Sequence, residues 1–408
     1  MRFKPFRAWR PKPEVAARVA APPYDVVNRE EAARLAEGNP LSFLHVGRSD
    51  IDLPPETDPY DPRVYQTARD NLDRFFRDGT FLQDPAPSVY LYEQTMGGRA
   101  QVGVVGCVHV DDYEKDVIRK HEKTRRDKED DRTRHVLTLN ANAEPVFLTV
   151  RDEAGLSRLI ADGVRGQPLY DFTAPDGVRH RVWRVPDPAA FTEAFGRIPV
   201  CYVADGHHRC ASAWRAGIER RAANPVHSGE EEYNWFLAVL FPAGGLRIMP
   251  YHRMIRDLQG QTPDQVRARL RQVGSLVAVT DPNPPRPGSF GIYLAGRWDL
   301  LELDPAGIPA EDPIRSLDAA LLEERVLGPI LGIGDIRTDK RIDFVGGIRG
   351  TPELKRRVDS GEMAMAVAMY PVTVEQLMAV ADAGAIMPPK TTWFEPKLRS
   401  GLFVHTLD

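Results

Sequence analysis

Five consecutive residues, Asp205-Gly206-His207-His208-Arg209, concentrate side chains that could do chemistry. They follow the apolar run Val200-Cys201-Tyr202-Val203-Ala204 and precede the helix formers of "CASAWRAGIER". The pattern predicts a short buried strand, a sharp turn at Asp-Gly and a helix beginning at the histidines. The first amides of a helix have no intrahelical acceptor, and the helix dipole is positive there. An anion is stabilised at such a corner, and Arg209 can add a bidentate contact. The histidines supply donors, or one of them a base. In the plainer reading Asp205 only caps the helix and the histidines are ordinary surface or core groups.

A second segment, "IRKHEKTRRDKEDDRTRHVLTLNANAEPVF", runs from Ile118 to Phe147 and is dense in charge. Arg125 stands four residues after His121, so the zinc pattern H-E-x-x-H is not met. A run of this kind is often a solvated helix face. Here both signs are interleaved with His and Thr, and the run passes directly into the apolar "LTLNANAEPVFL". Its basic residues could hold a polyphosphate, and its carboxylates could hold Mg2+ or accept a hydroxyl proton.

Two further stretches are candidates. "AGAIMPPKTTWFEPKLRSGL", Ala383 to Leu402, offers Lys390 after a rigid Met-Pro-Pro, then Lys397 and Arg399. Its alternative role is a stiff strap over the core, with Trp393, Phe394 and Leu398 as the packing residues. In "VAAPPYDVV", Val19 to Val27, Tyr24 and Asp25 could line a pocket, or Asp25 could simply cap a Pro-fixed loop. Other phosphate signatures are missing: there is no G-x-x-x-x-G-K-[ST], and no G-x-G-x-x-G after a strand. No G-x-S-x-G elbow supports hydrolase chemistry.

The elements that must position these residues can be read from periodicity and caps. "NREEAARLAEG" carries a capping box at Asn28 and Glu31 with a stop at Gly38. "PRVYQTARDNLDRFFRDGTF" puts Val64, Ala68, Leu72, Phe75 and Phe76 on one helical face. "SVYLYEQTMGGRAQVGVVGCVHV" reads as a hairpin turning at Gly-Gly. "EPVFLTV", "GVRHRVWRV", "VCYVA" and "YNWFLAVLFP" read as strands, with "LRIMPYHRMI" expected to pair near the last of them. The region from Arg2 to about Leu44 is expected to be a Pro-rich loop plus one helix. After about Leu258 come a capped helix, "TPDQVRARLRQVG", and a hairpin turning at Ala-Gly, "SFGIYLAGRWDLLEL". Three more helices and the buried strand "MAMAVAMY" complete the chain.

This is an α+β, or mixed α/β, layout. At ~150 residues per domain, 408 residues make two or three units. The expected division is 1–255, an α+β catalytic region, and 256–408, a mixed α/β region whose C-terminal strap returns to the site. Apolar residues are 42% of the chain, enough for a sizeable core. With 54 basic against 58 acidic residues and a net charge of −4, neither nucleic acid nor an anionic membrane is the expected partner. No stretch of 18 apolar residues exists to span a bilayer, and the N-terminus lacks a secretory core. Cys107, Cys201 and Cys210 form no C-x-x-C pair and read as reduced thiols of a cytoplasmic protein.

Four blocks, "AAPPYDVV", "HEKTRRDKEDDRTRH", "VADGHHR" and "MPPKTTWFEPKLRSGL", together resemble the bacterial and archaeal domain-of-unknown-function family numbered 1015. Their order and spacing cover nearly the whole chain. The Asp-Gly-His-His-Arg block also resembles the motif of free serine kinases, which have a ParB/sulfiredoxin-like fold. The resemblance implies a nucleotide-binding core of that type, with the phosphate corner at Gly206 to Arg209. It implies an ATP-dependent phosphotransferase acting on a small hydroxyl compound, with L-serine to O-phosphoserine the favoured reaction, ATP or ADP as donor, and Mg2+.

Carried over residue by residue, the resemblance makes Glu122, Asp205, His207 and His208 catalytic, with Glu122 accepting the hydroxyl proton and His121 beside it. Gly206, Arg209, Lys128, Arg132, Lys390 and Lys397 would contact the nucleotide, and Asp205 and Asp131 the metal. Assembly as a homo-oligomer is compatible with this reading. Two rivals stand beside this reading: a ParB-like nucleotide switch that binds without turnover, and a DNA-binding ParB relative. The acidic charge balance and the lack of a helix-turn-helix pattern argue against the second.

Overall fold

The computed structural model describes all 408 residues, in two compact units: Met1–Leu246 with Pro396–Asp408, and Arg247–Glu395. The first is built on a nine-stranded mixed sheet. Its strands are β1 (Phe3–Lys4), β2 (Tyr90–Met96), β3 (Arg99–His109), β4 (Ile118–Arg119), β5 (Val146–Val150), β6 (Tyr170–Thr173), β7 (Arg179–Arg184), β8 (Cys201–Asp205) and β9 (Trp235–Pro242). They lie in the order β4-β8-β5-β9-β3-β2-β7-β6, with β1 also on β3. β8 runs parallel to β4, and β9 parallel to β5; the other pairs are antiparallel.

Several helices form where their caps say they should. α1 (Arg29–Ala36) opens with the Asn28/Glu31 capping box. α2 (Pro62–Arg77) is capped by Asp61, has Pro62 at its first position, and buries Val64, Ala68, Leu72 and Phe75. α3 (Arg126–Leu139) holds the charged run. α4 (Ala154–Gly163) and α5 (Pro188–Gly196) put Leu156, Ile160, Phe191 and Phe195 into one core with sheet residues Val104, Val108, Leu148 and Val203. α6 (His207–Ala223) adds Cys210, Ala211 and Ala213 to the same core. A second cluster joins α1 and α2 to Phe43, Phe81, Leu139 and Val404.

The Gly-Gly hairpin is as expected: Gly97 and Gly98 take φ of 56° and 79°, which a two-residue hairpin turn of this hand requires. The N-terminal segment differs from expectation. Phe3–Lys4 is a strand rather than loop, and its Phe3 ring fills the space over Gly106, where a Cβ would sit 2.3 Å from it. Two residues carry no readable period, so this strand left no mark in the sequence.

The C-terminal segment closes the first unit. Val404 bridges Trp9, Ser400 bridges Ala21, and His405 pairs with Asn142. Leu402, Phe403 and Val404 are buried, and the Phe403 ring lies 4.8 Å from that of Tyr90. Phe403→Ala is therefore expected to destabilise the protein by about 3–5 kcal/mol, the range for emptying a buried aromatic site. Chemical denaturation measures this, and a change below about 1 kcal/mol would mean the strap is dispensable.

The second unit is a six-stranded antiparallel sheet of β10 (Tyr251–Ile255), β11 (Gly274–Ala278), β12 (Ser289–Leu294), β13 (Arg297–Leu303), β14 (Ile342–Gly346) and β15 (Met365–Met369), in the order β11-β13-β12-β15-β10-β14. α7 (Pro263–Val273), with a capping box at Thr262 and Gln265, packs Val266 and Leu270 against it. The helical stretch Asp318–Leu331 passes through a π turn at Glu323–Leu327. The expectation that "LRIMPYHRMI" pairs near β9 is not met. Ile248–Met249 pairs with Trp393–Phe394, and Tyr251–Ile255 pairs with β14 and β15. Both edges of β9 are already taken, by β3 and β5, and Met254 and Ile255 find their burial in the second unit. No helix is long and apolar enough to cross a membrane.

Candidate functional site

The corner after β8 has the geometry its residues predict. Gly206 sits at φ 91°, a conformation that costs glycine little and other residues more. A register shift between Val203 and Asp205 against β5 marks an irregularity at the strand end, just before the turn. α6 begins at His207 with no side chain capping it, so its first amides are left for a ligand or solvent.

The sheet order brings the charged segment to this corner. β4 pairs in parallel with β8, Ile118 beside Cys201 and Arg119 beside Tyr202. Parallel neighbours release their chains at the same end, so residues 120–125 emerge next to residues 205–208. Glu122 Oε2 lies 3.6 Å from His207 Nδ1. The Arg125 amide donates to His208 Nε2 at 3.1 Å. The rings of His121 and His207 meet edge to face at 4.5 Å. α3 and α6 are then tied further along by Ser212 Oγ donating to the Glu129 carbonyl and by Arg215 pairing with Glu129 and Asp130.

Charge around the corner is arranged in pairs. Lys397 Nζ donates to Asp205 Oδ2 at 3.0 Å, and the Gly206 amide to Asp205 Oδ1 at 2.8 Å. Burial by itself would raise the Asp205 carboxyl, but Lys397 and Arg209 outweigh it and hold the group well below the usual carboxylate range. Arg209 is 8% exposed; its Nη1 donates to the Pro145 carbonyl at 2.5 Å and its Nη2 to Asp25 at 3.4 Å, while Nε has no acceptor. Burial opposes its charge, yet Asp25, Asp205 and Glu144 keep it firmly protonated.

The two histidines facing each other are neutral. Burial pushes His207 down to about 4, opposed by Asp205 and helped by His208 and Arg209. Burial and the neighbouring His207 take His121 down to about 3. An unfolded imidazole titrates near ~6.5, so below that pH the unfolded chain binds more protons than the folded one. The stability these rings contribute is whole above pH ~6.5 and is lost as pH falls towards their folded values. At pH 5 each ring costs on the order of 2 kcal/mol, at about 1.4 kcal/mol per pH unit. The melting temperature is expected to drop between pH 7 and pH 5, and less steeply in His121→Phe. A flat profile in both proteins would contradict buried neutral rings.

Of the residues singled out from the sequence, Glu122, Asp205, Gly206, His207, His208, Arg209 and Lys397 come together here, with Asp25 on Arg209. Arg132 lies one layer away: its guanidinium stacks on Tyr24 at 4.3 Å and its Nε donates to Asp131 at 2.9 Å. Three residues have other engagements. Lys128 donates to the Tyr60 hydroxyl at 3.0 Å. Asp131 accepts from Arg132 and, at 2.7 Å, from the Tyr65 hydroxyl, which makes it a structural counter-ion. Lys390 belongs to the second unit, where it lies over the Tyr251 ring at 5.6 Å.

These commitments bear on Mg2+. Asp205 holds Lys397 and Asp131 holds Arg132, and no group of three His, Cys, Asp or Glu side chains is placed to hold a metal ion. Both carboxylates expected to meet Mg2+ are thus already paired with a cation. Glu144 is the residue that sequence reasoning passed over. It accepts from the Tyr24 amide at 3.3 Å and from Ser400 Oγ at 3.1 Å. Burial pushes its carboxyl up while Arg209 and Arg132 pull it down. Nothing in "NANAEPVF" distinguishes this glutamate from a surface one.

The chain is a mixed α/β protein whose strand-to-helix turn sets uncapped helix amides beside a buried arginine. The model of a family described as a protein of unknown function, DUF1015, matches residues 3–320, and the chain belongs to that family. No curated protein matches the chain. Among solved structures, it is similar to a free serine kinase in complex with AMP, at 11% identity, covering 73% of this chain and 90% of that one, with a TM-score of 0.36. It is also similar to a conserved hypothetical protein from Pyrococcus furiosus, at 14% identity, 73% and 93% coverage and a TM-score of 0.34. A C-terminally truncated SbnI from Staphylococcus aureus matches at 12% identity, 74% and 86% coverage and a TM-score of 0.38.

Proposed function

We propose that the protein is an ATP-dependent phosphotransferase acting on a small hydroxyl compound, with free L-serine as the favoured acceptor and O-phosphoserine as the product. One observation carries the reading: the Glu122 carboxylate stands 3.6 Å from His207 at the open N-terminus of α6, beside the buried Arg209. A base and an anion cradle share one corner, and phosphoryl transfer to an alcohol needs both.

In the proposed reaction the α6 amides and Arg209 hold the phosphates. Glu122 takes the acceptor's hydroxyl proton as the oxygen attacks the terminal phosphorus. The new O–P bond forms, the bond to the departing diphosphate breaks, and ADP leaves with the electron pair. His207 and His208 place Glu122 and the loop before α3; both rings are pulled towards the neutral form by burial. Lys397 neutralises Asp205, so that carboxylate does not repel the incoming phosphates. Positioning and fixed charge supply most of such an acceleration, and little covalent work falls to the protein.

The test is a panel of small hydroxyl acceptors with labelled ATP, read by mass spectrometry. Equal amounts of O-phosphoserine and ADP are the expected result. Nucleotide binding with no phosphorylated acceptor would replace this reading with a nucleotide-binding switch.

A further inference from the structure

Beside the anion corner lies a second cluster: Tyr24, Asp25, Arg132, Glu144 and Arg209. Arg132 is held rigidly, its plane against Tyr24 at 4.3 Å and its Nε on Asp131. Its Nη1 is buried and has no acceptor. A buried charged N–H without a partner is costly, and such groups in native proteins normally have one. The position calls for an anion. Glu144 receives the Tyr24 amide and Ser400 Oγ both on Oε1, which leaves Oε2 for a donor. Gly47 keeps that carboxylate uncrowded, since a Cβ there would stand 3.0 Å from Oε1.

The charges choose between possible anions. Around Arg132 itself, Asp131 and Glu144 set two carboxylates against one guanidinium, while Asp25 and Arg209 pair with each other towards the phosphate corner. A polyphosphate would be repelled by this balance, whereas a ligand carrying one carboxylate and one ammonium adds no net charge. We propose that this cluster recognises the acceptor as a zwitterionic α-amino acid, its carboxylate on Arg132 Nη1 and its ammonium on Glu144 Oε2. The inference deepens the phosphotransferase reading and rests on it only for what becomes of the hydroxyl. It gives Arg132 to the acceptor rather than to the nucleotide.

Calorimetric titration of the full chain tests it with four compounds: L-serine, L-alanine, ethanolamine and 3-hydroxypropionate. L-Alanine has both charged groups and no hydroxyl, and is expected to bind about as well as L-serine. Ethanolamine and 3-hydroxypropionate, each lacking one charge, are expected to bind at least about tenfold more weakly, as is usual when a buried polar partner is left unpaired. Arg132→Gln and Glu144→Gln should weaken L-serine about tenfold or more with nucleotide affinity kept, and Arg132→Lys should restore part of the loss. Wild-type protein alone decides the matter should a variant fail to fold.

The proposal is overturned if neither L-serine nor L-alanine binds, if ethanolamine or 3-hydroxypropionate binds as tightly as L-serine, or if folded Arg132→Gln binds L-serine unchanged. Binding of both amino acids without any phosphoryl transfer would uphold this site and remove the kinase reading. Equal phosphorylation of ethanolamine and L-serine would do the reverse.

Discussion

Glu122→Gln is expected to lower kcat by about 100- to 10,000-fold, the usual worth of a general base, while the nucleotide dissociation constant moves by no more than about twofold. Glutamine matches glutamate in size, so the loop between β4 and α3 keeps its course. The Arg125 amide still meets His208, and the His121 and His207 rings still pack edge to face. What disappears is the group that can take a proton beside the cradle. Glu122 is not among the residues that hold the phosphates in this scheme, so binding and turnover should separate cleanly. Steady-state kinetics beside a nucleotide titration measures both quantities. Wild-type turnover in this variant would move the base elsewhere, and Asp25, which faces Arg209 from the other side, is the next carboxylate to examine.

Arg209→Ala should act on binding and stability together. The side chain is buried and satisfies the Pro145 carbonyl and Asp25 at once. Its removal leaves a carbonyl without a donor and a carboxylate without its cation. Breaking a buried charged network of this kind costs about 3–5 kcal/mol, so the melting temperature should fall visibly. Arg209→Lys keeps the charge but cannot reach both partners with one ammonium. It should fold better than the alanine variant and still lose about tenfold or more in nucleotide affinity, the worth of one charge-assisted contact. Nucleotide affinity unchanged in a folded Arg209→Lys would take Arg209 out of the cradle and leave it a purely structural cation.

The strand-turn-helix corner was legible because every signal in it is local. An apolar run, a glycine able to take φ 91° and a stretch of helix formers act within a few residues of each other. The capping boxes at Asn28 and Thr262 were legible for the same reason. The charged run was not. Both readings of it hold at different positions: Asp131, Thr133 and His135 are buried, while Arg126, Asp127 and Asp130 face solvent. Which residues turn inward depends on where α2 and α6 press against α3, and no local rule supplies that. Lys128 and Arg132 are one helical turn apart, yet Lys128 meets Tyr60 and Arg132 meets Tyr24. Lys390 and Lys397 are seven residues apart and belong to different units.

From its own amino acids the chain determines most of the element types, the turn at Gly206, the cluster of chemistry-bearing side chains after it and, through four blocks of residues, its family. Only the tertiary structure decides that Glu122 stands opposite His207, because this needs the parallel pairing of Arg119 with Tyr202 across more than eighty residues. The same holds for Lys397 on Asp205 and for Glu144 on the Tyr24 amide and the Ser400 hydroxyl. The physical reason is range. Backbone preferences and helix caps are settled over one or two turns of chain, whereas ion pairs and strand partners are chosen by burial, which is a property of the whole packed unit.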